Sequence, residues 1–182
     1  MNAIKPSVID TAKDLNGQSG RIVEVATRLY ARYSYANVTL EQISSALDLV
    51  PGAIYHYFKD KEDLIFHCYM NGLDIYEQEL SRCDEAGIDA LEIVRRFIRQ
   101  RLSPGKPRMV LFTDIDALAE EKSRLVHSRR RDNAEKLAAI IRRGIDAGCI
   151  RQLDPLMTAI AILSVLDWTP FWLSANSHYT YQ

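Results

Sequence analysis

The stretch Thr39–Leu64, TLEQISSALDLVPGAIYHYFKDKEDL, decides the fold. Thr39 stands before Leu40, Ile43 and Leu47, apolar residues at helical steps, and Gln42 lies three positions on. A hydroxyl at the N-cap and an amide at N3 can each take the other's backbone N–H, which predicts a capping box and a short helix of about two turns. Asp48-Leu49-Val50 is long enough only for a tight turn, and Pro51 suits the first position of a following helix because its missing N–H would be unpaired there. A short helix is therefore expected from about Pro51 to Tyr57. Its Ile54 and Phe58, four apart, face inward onto Leu40, Ile43 and Leu47, leaving Gly52, Tyr55, His56 and Lys59 outside. Asp60 then caps a long helix, with Glu62 and Asp63 at its positive end, and the pattern Leu64, Ile65, Cys68, Tyr69, Gly72, Ile75, Tyr76 carries it to about Leu80.

Upstream, Ile22, Val25, Ala26, Leu29, Tyr30 and Tyr33 recur at steps of three and four from Arg21, the period of a helix with one buried stripe. Downstream, helices are expected at about Ile88–Leu102, Pro107–Ala119, Ser123–Ala147 and Asp154–Leu173. They are separated by stop signals at Pro104-Gly105-Lys106-Pro107 and Gly148 and restarted by Asp154-Pro155. No segment alternates with period two, so the fold class is all-α. At 182 residues, 47 % hydrophobic and 26 % charged, with 8 Gly and 6 Pro, the chain excludes collagen-like and largely disordered classes. A net charge of −1 gives no bulk attraction to nucleic acid or acidic lipid, so any such partner must meet a local patch. Cys68, Cys83 and Cys149 form no CxxC pair and no zinc spacing, and read as reduced, partly buried thiols. Residues 1–20 read as a loose arm without the apolar stretch of a signal peptide, pointing to the cytoplasm. Leu156–Leu166, interrupted by Thr158 and Ser164, falls short of the ~20 residues of a membrane span.

Two short helices joined by a three-residue turn, the second presenting hydrogen-bonding side chains, form the layout of a helix-turn-helix. On periodicity alone the pattern reads equally as a three-helix surface subdomain. The runs Val38-Thr39-Leu40-Glu41-Gln42-Ile43 and Pro51 through Leu64 resemble the N-terminal signature of TetR-family transcriptional repressors. The resemblance covers about Arg21 to Leu64. It implies a helix-turn-helix DNA-binding domain over residues 21–64, joined by a long helix to an effector-binding and dimerisation domain over 65–182. It further implies a homodimer that grips an inverted-repeat operator in double-stranded DNA and releases it when a small molecule fills the C-terminal domain. By position, Thr39 and Tyr55 are implied to hold phosphates, Gly52 to allow close backbone approach, and Lys61 to meet a phosphate. The chemistry agrees, since hydroxyl, phenol and ammonium groups donate to phosphate oxygens. His56, with Pro51 and Tyr57 beside it, is the candidate for reading base edges. Two features depart from expectation. Asp48 occupies a turn position where the family commonly has glycine, and a left-handed backbone costs Asp more than Gly. Met1–Leu64 also carries seven Lys or Arg against eight Asp or Glu, so Lys5, Lys13, Arg21, Arg28, Lys59 and Lys61 must be arranged toward DNA.

In the C-terminal part, Phe97, Arg101, Met109, Phe112, Asp116, Trp168 and Trp172 supply aromatic and apolar surface with polar handles, the mixture of a small-molecule pocket. Core packing is the commoner use of such aromatics. Asp167, inside an apolar helix, is costly unless paired, hydrated or turned to a ligand, and otherwise faces solvent. The last helix is apolar on most of its circumference, which argues burial by its own domain and by a second subunit. Leu166-Asp167-Trp168-Thr169-Pro170-Phe171-Trp172 is similar to a segment of TetR-family regulators of fatty-acid and steroid catabolism, implying an acyl, acyl-CoA or other lipid-like effector. Many members carry one more helix after this point, which leaves the dimer interface and the completeness of the chain open. Arg124, Arg129, Arg130, Arg131, Arg142 and Arg143 concentrate on one long helix; a solvated charged face is the usual meaning, and a phosphate-bearing effector the alternative.

Three functions remain in competition. The first is an effector-gated repressor, cytoplasmic and nucleoid-associated when on DNA. The second is an architectural or partner-controlled DNA-bound protein without a small-molecule effector. An enzyme is the weakest, since His56, His67, His127 and His178 are scattered and no nucleophile elbow, phosphate-cradling loop or metal spacing occurs. No cofactor and no metal site is expected.

Overall fold

The computed structural model describes residues 17–103 and 112–175, with backbone alone at 112–113 and 170–175. Among these described residues six α-helices follow one another: α1 (Gln18–Tyr33), α2 (Leu40–Ser45), α3 (Lys61–Cys83), α4 (Ala90–Leu102), α5 (Glu120–Asp146) and α6 (Pro155–Ala175). Short 3-10 segments occupy Tyr35–Asn37, Ala53–His56 and Phe112–Ala117. No strand occurs among the described residues, in agreement with the all-α expectation.

The capping box forms as its spacing predicts. Thr39 Oγ1 accepts from the Gln42 N–H at 3.2 Å, and Gln42 Oε1 accepts from the Thr39 N–H at 2.8 Å. At the other end of α2 the Leu49 N–H donates to the Ser44 carbonyl and the Asp48 N–H to the Ser45 carbonyl, a closure that needs a left-handed residue between them. Asp48 takes that place with φ 56°, so the departure from glycine seen in the sequence is a real conformational cost.

Pro51 does not open a helix. The Ala53 N–H donates to the Val50 carbonyl and Gly52 sits at φ 86°, ψ −11°, which are the bond and dihedrals of a type II turn with proline at its second position and glycine at its third. A residue at positive φ cannot continue a right-handed helix. The expected helix from Pro51 to Tyr57 is therefore one 3-10 turn, Ala53–His56, with Ile54 fully buried and Phe58 nearly so. Other boundaries shift for local reasons. Helix α1 begins at Gln18, inside the stretch expected as an arm. Helix α4 begins at Ala90 because the Asp89 carboxylate caps it through the Glu92 N–H. Helix α5 begins at Glu120, three residues before Ser123. In place of a helix over Pro107–Ala119 there is a 3-10 segment broken by non-helical Asp114, residues 107–111 lying outside the described part.

Helix α3 is common to both halves. Its buried residues Leu64, Ile65, Tyr69, Leu73, Tyr76 and Leu80 belong to one continuous core with Ile22, Ala26 and Tyr30 of α1, Ile93 and Phe97 of α4, and Leu137 and Ile141 of α5. An ion-pair seam sets its register against α5. Lys122 bonds Asp63, Lys136 bonds Glu77 and Arg143 bonds Asp84, each pair 59 residues apart, while Arg129 bridges Asp74 and Glu77. The constant offset means that the helices run parallel. The α5 cations at 122, 129, 136 and 143 recur every seven residues, the repeat that keeps a seam on one face of two packed helices. Each half-exposed pair contributes only ~0.2–1 kcal/mol. Slipping α5 by one turn would break all of them together, so their collective role is register. At the far end of α5, a Cβ on Gly144 would lie 2.5 Å from Ile150 Cδ1 and 3.0 Å from Ala90 Cβ, so a larger residue there would require Ile150 and the start of α4 to shift.

The left-handed turn yields a test. Asp48→Val should lower the unfolding free energy by about 1–2 kcal/mol in urea titration, whereas Asp48→Gly should leave it equal or higher. An unchanged midpoint for the valine variant would contradict the constraint.

Candidate functional site

The turn after α2 carries one contiguous exposed surface. Ile54 and Phe58 anchor it inward, and between and before them Pro51, Gly52, Tyr55, His56 and Tyr57 are exposed, Tyr55 at 57 % and Tyr57 at 48 %. Thr39 is exposed at the start of α2. Its oxygen accepts the cap bond while its O–H proton is left to donate elsewhere, so structural and contact roles are compatible. At Gly52 a Cβ would meet nothing within 4 Å, so this glycine answers first to its positive φ. Lys61 is half-buried, its ammonium 4.2 Å over the Tyr35 ring, and partial desolvation lowers its pKa against the pull of Asp114. Behind the turn, His67 meets Phe58 edge-on at 5.4 Å, and burial lowers its pKa against nearby Asp63. The base of the turn is thus packed directly onto α3. The α3 start is in turn tied to α5, since the Ala119 N–H donates to Glu62 Oε1 at 3.1 Å.

A second feature lies at the other end of α3. A cavity of about 330 Å³ opens between α3, α5 and α6, with apolar walls from Leu73, Leu156, Ile160 and Leu163 and polar groups from Tyr76, Arg130, Arg131 and Asp167. That volume is at the small end of the ligand-cleft range. A chain of polar contacts crosses the bundle here. The Tyr76 hydroxyl donates to Asp167 Oδ1 at 2.6 Å, and Arg130 approaches Asp167 Oδ2 at 3.9 Å. On the opposite side, the Arg101 guanidinium lies 4.4 Å over the Tyr76 ring and pairs with Glu79 at 3.1 Å, both side chains 4 % exposed. Burial pushes the Asp167 carboxyl above its ordinary value, against the Tyr76 hydroxyl, Arg130 and Arg101, which favour its ionised form. Burial likewise pushes Tyr76 well above the ordinary phenol value, so it remains a donor.

Of the effector candidates, Asp167 lines the cavity, buried rather than facing solvent. Arg101 reaches the same tyrosine from behind, and Phe97 is core, its ring 5.9 Å from that of Tyr76. Asp116 and Trp168 are exposed, and neither lines the cavity. Met109 and the side chains of Phe112 and Trp172 lie outside the described residues. Sequence reasoning did not single out Tyr76, Glu79 or Asn133. A signal existed for Glu79, an acid on the buried stripe of α3 one turn from Tyr76, facing the helix that carries Arg101. The arginine concentration on α5 is largely paired, Arg129 with Asp74 and Glu77, Arg143 with Asp84, Arg124 with Glu120, Arg131 with Glu135 and Arg130 with Asp167, and the last two arginines also line the cavity. Among the described residues no group of His, Cys, Asp and Glu is placed to hold a metal, and no helix is long and apolar enough to cross a membrane.

Residues 22–68 match the model for bacterial regulatory proteins of the tetR family, and residues 91–180 the model for the tetracyclin repressor-like C-terminal domain. The chain belongs to the TetR family. It is a DNA-binding transcriptional regulator of that family, and residues 22–68 enclose Thr39, the exposed turn Pro51–Tyr57 and Lys61. It is 37 % identical over 76 residues to the HTH-type transcriptional regulator HbdR of Aromatoleum sp. (strain CIB), an alignment covering 42 % of this chain and 33 % of that relative. It is 24 % identical over 158 residues to the uncharacterized HTH-type transcriptional regulator YhgD of Bacillus subtilis (strain 168), covering 81 % and 82 %. The TetR fold extends over both halves: AibR in complex with isovaleryl coenzyme A and operator DNA superposes with TM-score 0.76 at 22 % identity, covering 91 % of each chain.

The raised Asp167 pKa has a sign that can be checked. The folded state holds this proton more tightly than the unfolded chain, so the associated stability is fully present below the unfolded pKa and is lost as pH rises through the folded one. Asp167→Asn keeps an oxygen for Tyr76 and removes the titration. Between about pH 4 and 7 the variant should gain stability relative to the parent in urea titrations. A constant difference across that range would contradict the buried, raised carboxyl.

Proposed function

We propose that the chain is a homodimeric repressor that holds an inverted-repeat operator through the turn at Pro51–Tyr57 and lets go when a small apolar or acyl-type effector enters the α3–α5–α6 cavity. The observation that carries this reading is the position of α3. Phe58 and His67 seat the exposed Tyr55-His56-Tyr57 surface on its first turns, while its Leu73 and Tyr76 wall the cavity two to three turns later. In this reading Thr39, Tyr55 and Lys61 hold phosphates, which set affinity and register, and His56, flanked by Pro51 and Tyr57, reads base edges. Dimerisation is supported by α6, where Met157, Ile160, Ala161, Val165 and Trp168 form an exposed stripe at helical spacing, Val165 at 66 %. An acyl effector is supported by AibR, a neighbour of the same fold bound to isovaleryl coenzyme A and operator DNA. Such a regulator works where the chromosome is, in the cytoplasm.

The mechanism is a change of dimer geometry. Two recognition turns must stand about 34–36 Å apart to enter successive major grooves. An effector can shift that spacing only by binding one state better than the other. Because α5 is keyed to α3 by the 59-residue ion-pair register, a displacement at Arg130 is passed to Lys122–Asp63 and Ala119–Glu62 beside the recognition turn.

Selection of genomic fragments on the purified protein at near-physiological salt, followed by footprinting, should enrich an inverted repeat; only salt-sensitive background would contradict the reading. Tyr55→Phe should weaken binding by about 1 kcal/mol, roughly fivefold, to a similar degree for all sequences. His56→Ala should alter preference at particular operator positions, and unchanged preference everywhere would remove it from base reading.

A further inference from the structure

We propose that the cavity takes a short anionic amphiphile whose negative head replaces Asp167 as the counter-ion of Arg130, with its apolar chain against Leu73, Leu156 and Leu163. This rests on reading the cavity as the effector site and narrows the effector's chemistry. Three observations carry it. First, the basic side chains at the cavity are Arg130 and Arg131, and Arg131 is ion-paired with Glu135 at 3.8 Å, so Arg130 is the cation that an entering anion meets beside Asp167. Second, that carboxylate is already engaged on both oxygens, by the Tyr76 hydroxyl at 2.6 Å and by Arg130 at 3.9 Å. The Arg130 contact is an ion pair beyond hydrogen-bond distance, which an anion able to approach to ~2.8 Å outcompetes. Third, Asp167 is built to give Arg130 up. Burial favours its protonated form, and once neutral it neither repels an anionic head nor loses its bond from Tyr76, whose own place is held by Arg101 stacked on the ring. The cavity, at about 330 Å³, suits a chain of several carbons rather than a long acyl tail. Carboxylate and phosphate heads share this chemistry, and so does a coenzyme A thioester if its phosphates reach Arg130 and Arg131.

Calorimetric titration of the full chain with five eight-carbon probes tests the proposal: octanoate, octyl phosphate, octanoyl-coenzyme A, octanol and octylamine. At least one anionic probe should bind about tenfold or more tightly than octanol, and octylamine should bind most weakly. Tighter binding of octanoate or octyl phosphate assigns a free compact head, and tighter binding of octanoyl-coenzyme A assigns the thioester. Arg130→Gln should reduce the preference for the anion over octanol to within about threefold, Arg130→Lys should restore part of it, and Leu163→Trp, filling the cavity, should weaken every probe. Octanol or octylamine binding as tightly as every anion, no saturable anion binding, or a preference that survives Arg130→Gln would overturn it. Fragment selection on the same preparation keeps the two readings apart: an enriched operator with no anion bound removes only the effector class, while anion binding without an operator removes only the repressor reading.

Discussion

Burial of α3 along most of its length is the constraint on which the rest of the molecule depends. Helix α1 packs its buried stripe against α3, the Pro51–Tyr57 turn is seated by Phe58 against His67, and α4 and α5 complete their cores on the same helix farther along. Because one rigid element serves all of these, it cannot tilt or slide at one end without a response at the other. Such an arrangement costs independence between the two halves. It also supplies what the proposed regulator requires, a direct mechanical path between the α3–α5–α6 cavity and the exposed turn at Pro51–Tyr57.

Two polar devices limit how that path can move. The α3–α5 ion pairs are individually weak and half-exposed, yet their common offset means that a register shifted by one turn satisfies none of them, so motion is confined to small adjustments. The largely buried chain Glu79, Arg101, Tyr76, Asp167, Arg130 ties together α3, α4, α6 and α5, and with Tyr76 protonated its two arginines balance its two carboxylates when these are ionised. A satisfied network of this kind favours one arrangement of the helices, while removing one partner leaves the next exposed to the full penalty of burial. The cavity opens where this network reaches its least tightly held contact.

Much of this was readable from residue spacing. The Thr39 and Asp60 caps, the long helix after Asp60, the inward pair Ile54 and Phe58, the strained turn at Asp48 and the absence of strands all follow from interactions spanning four residues or fewer, where sequence separation and distance in space are the same question. The Pro51–Tyr57 segment differs from the helix its sequence suggests because Pro51 has two good uses, helix start or second turn position, and the glycine beside it decides between them through a positive φ. The α3–α5–α6 cavity was only partly legible. Asp167 stood out as an acid in an apolar helix, but its partners Tyr76 and Arg130 come from helices 91 and 37 positions away in sequence, and no local pattern indicates which residues converge. The seven-residue spacing of four cations on α5 was present in the sequence, yet it acquires meaning only beside Asp63, Glu77 and Asp84 on a parallel neighbour.

Native-state hydrogen exchange along α3 tests the central claim most directly, because it reads whether the helix behaves as one unit without needing an operator or an effector. The account predicts that amides from Ile65 to Leu80 exchange through a single large opening shared with the buried turns of α1 and α5. If the first half of α3 instead exchanges with α1 and α2 at a distinctly lower free energy while Leu73–Leu80 stays protected, the two halves are independent bodies and the cavity has no rigid route to the recognition turn.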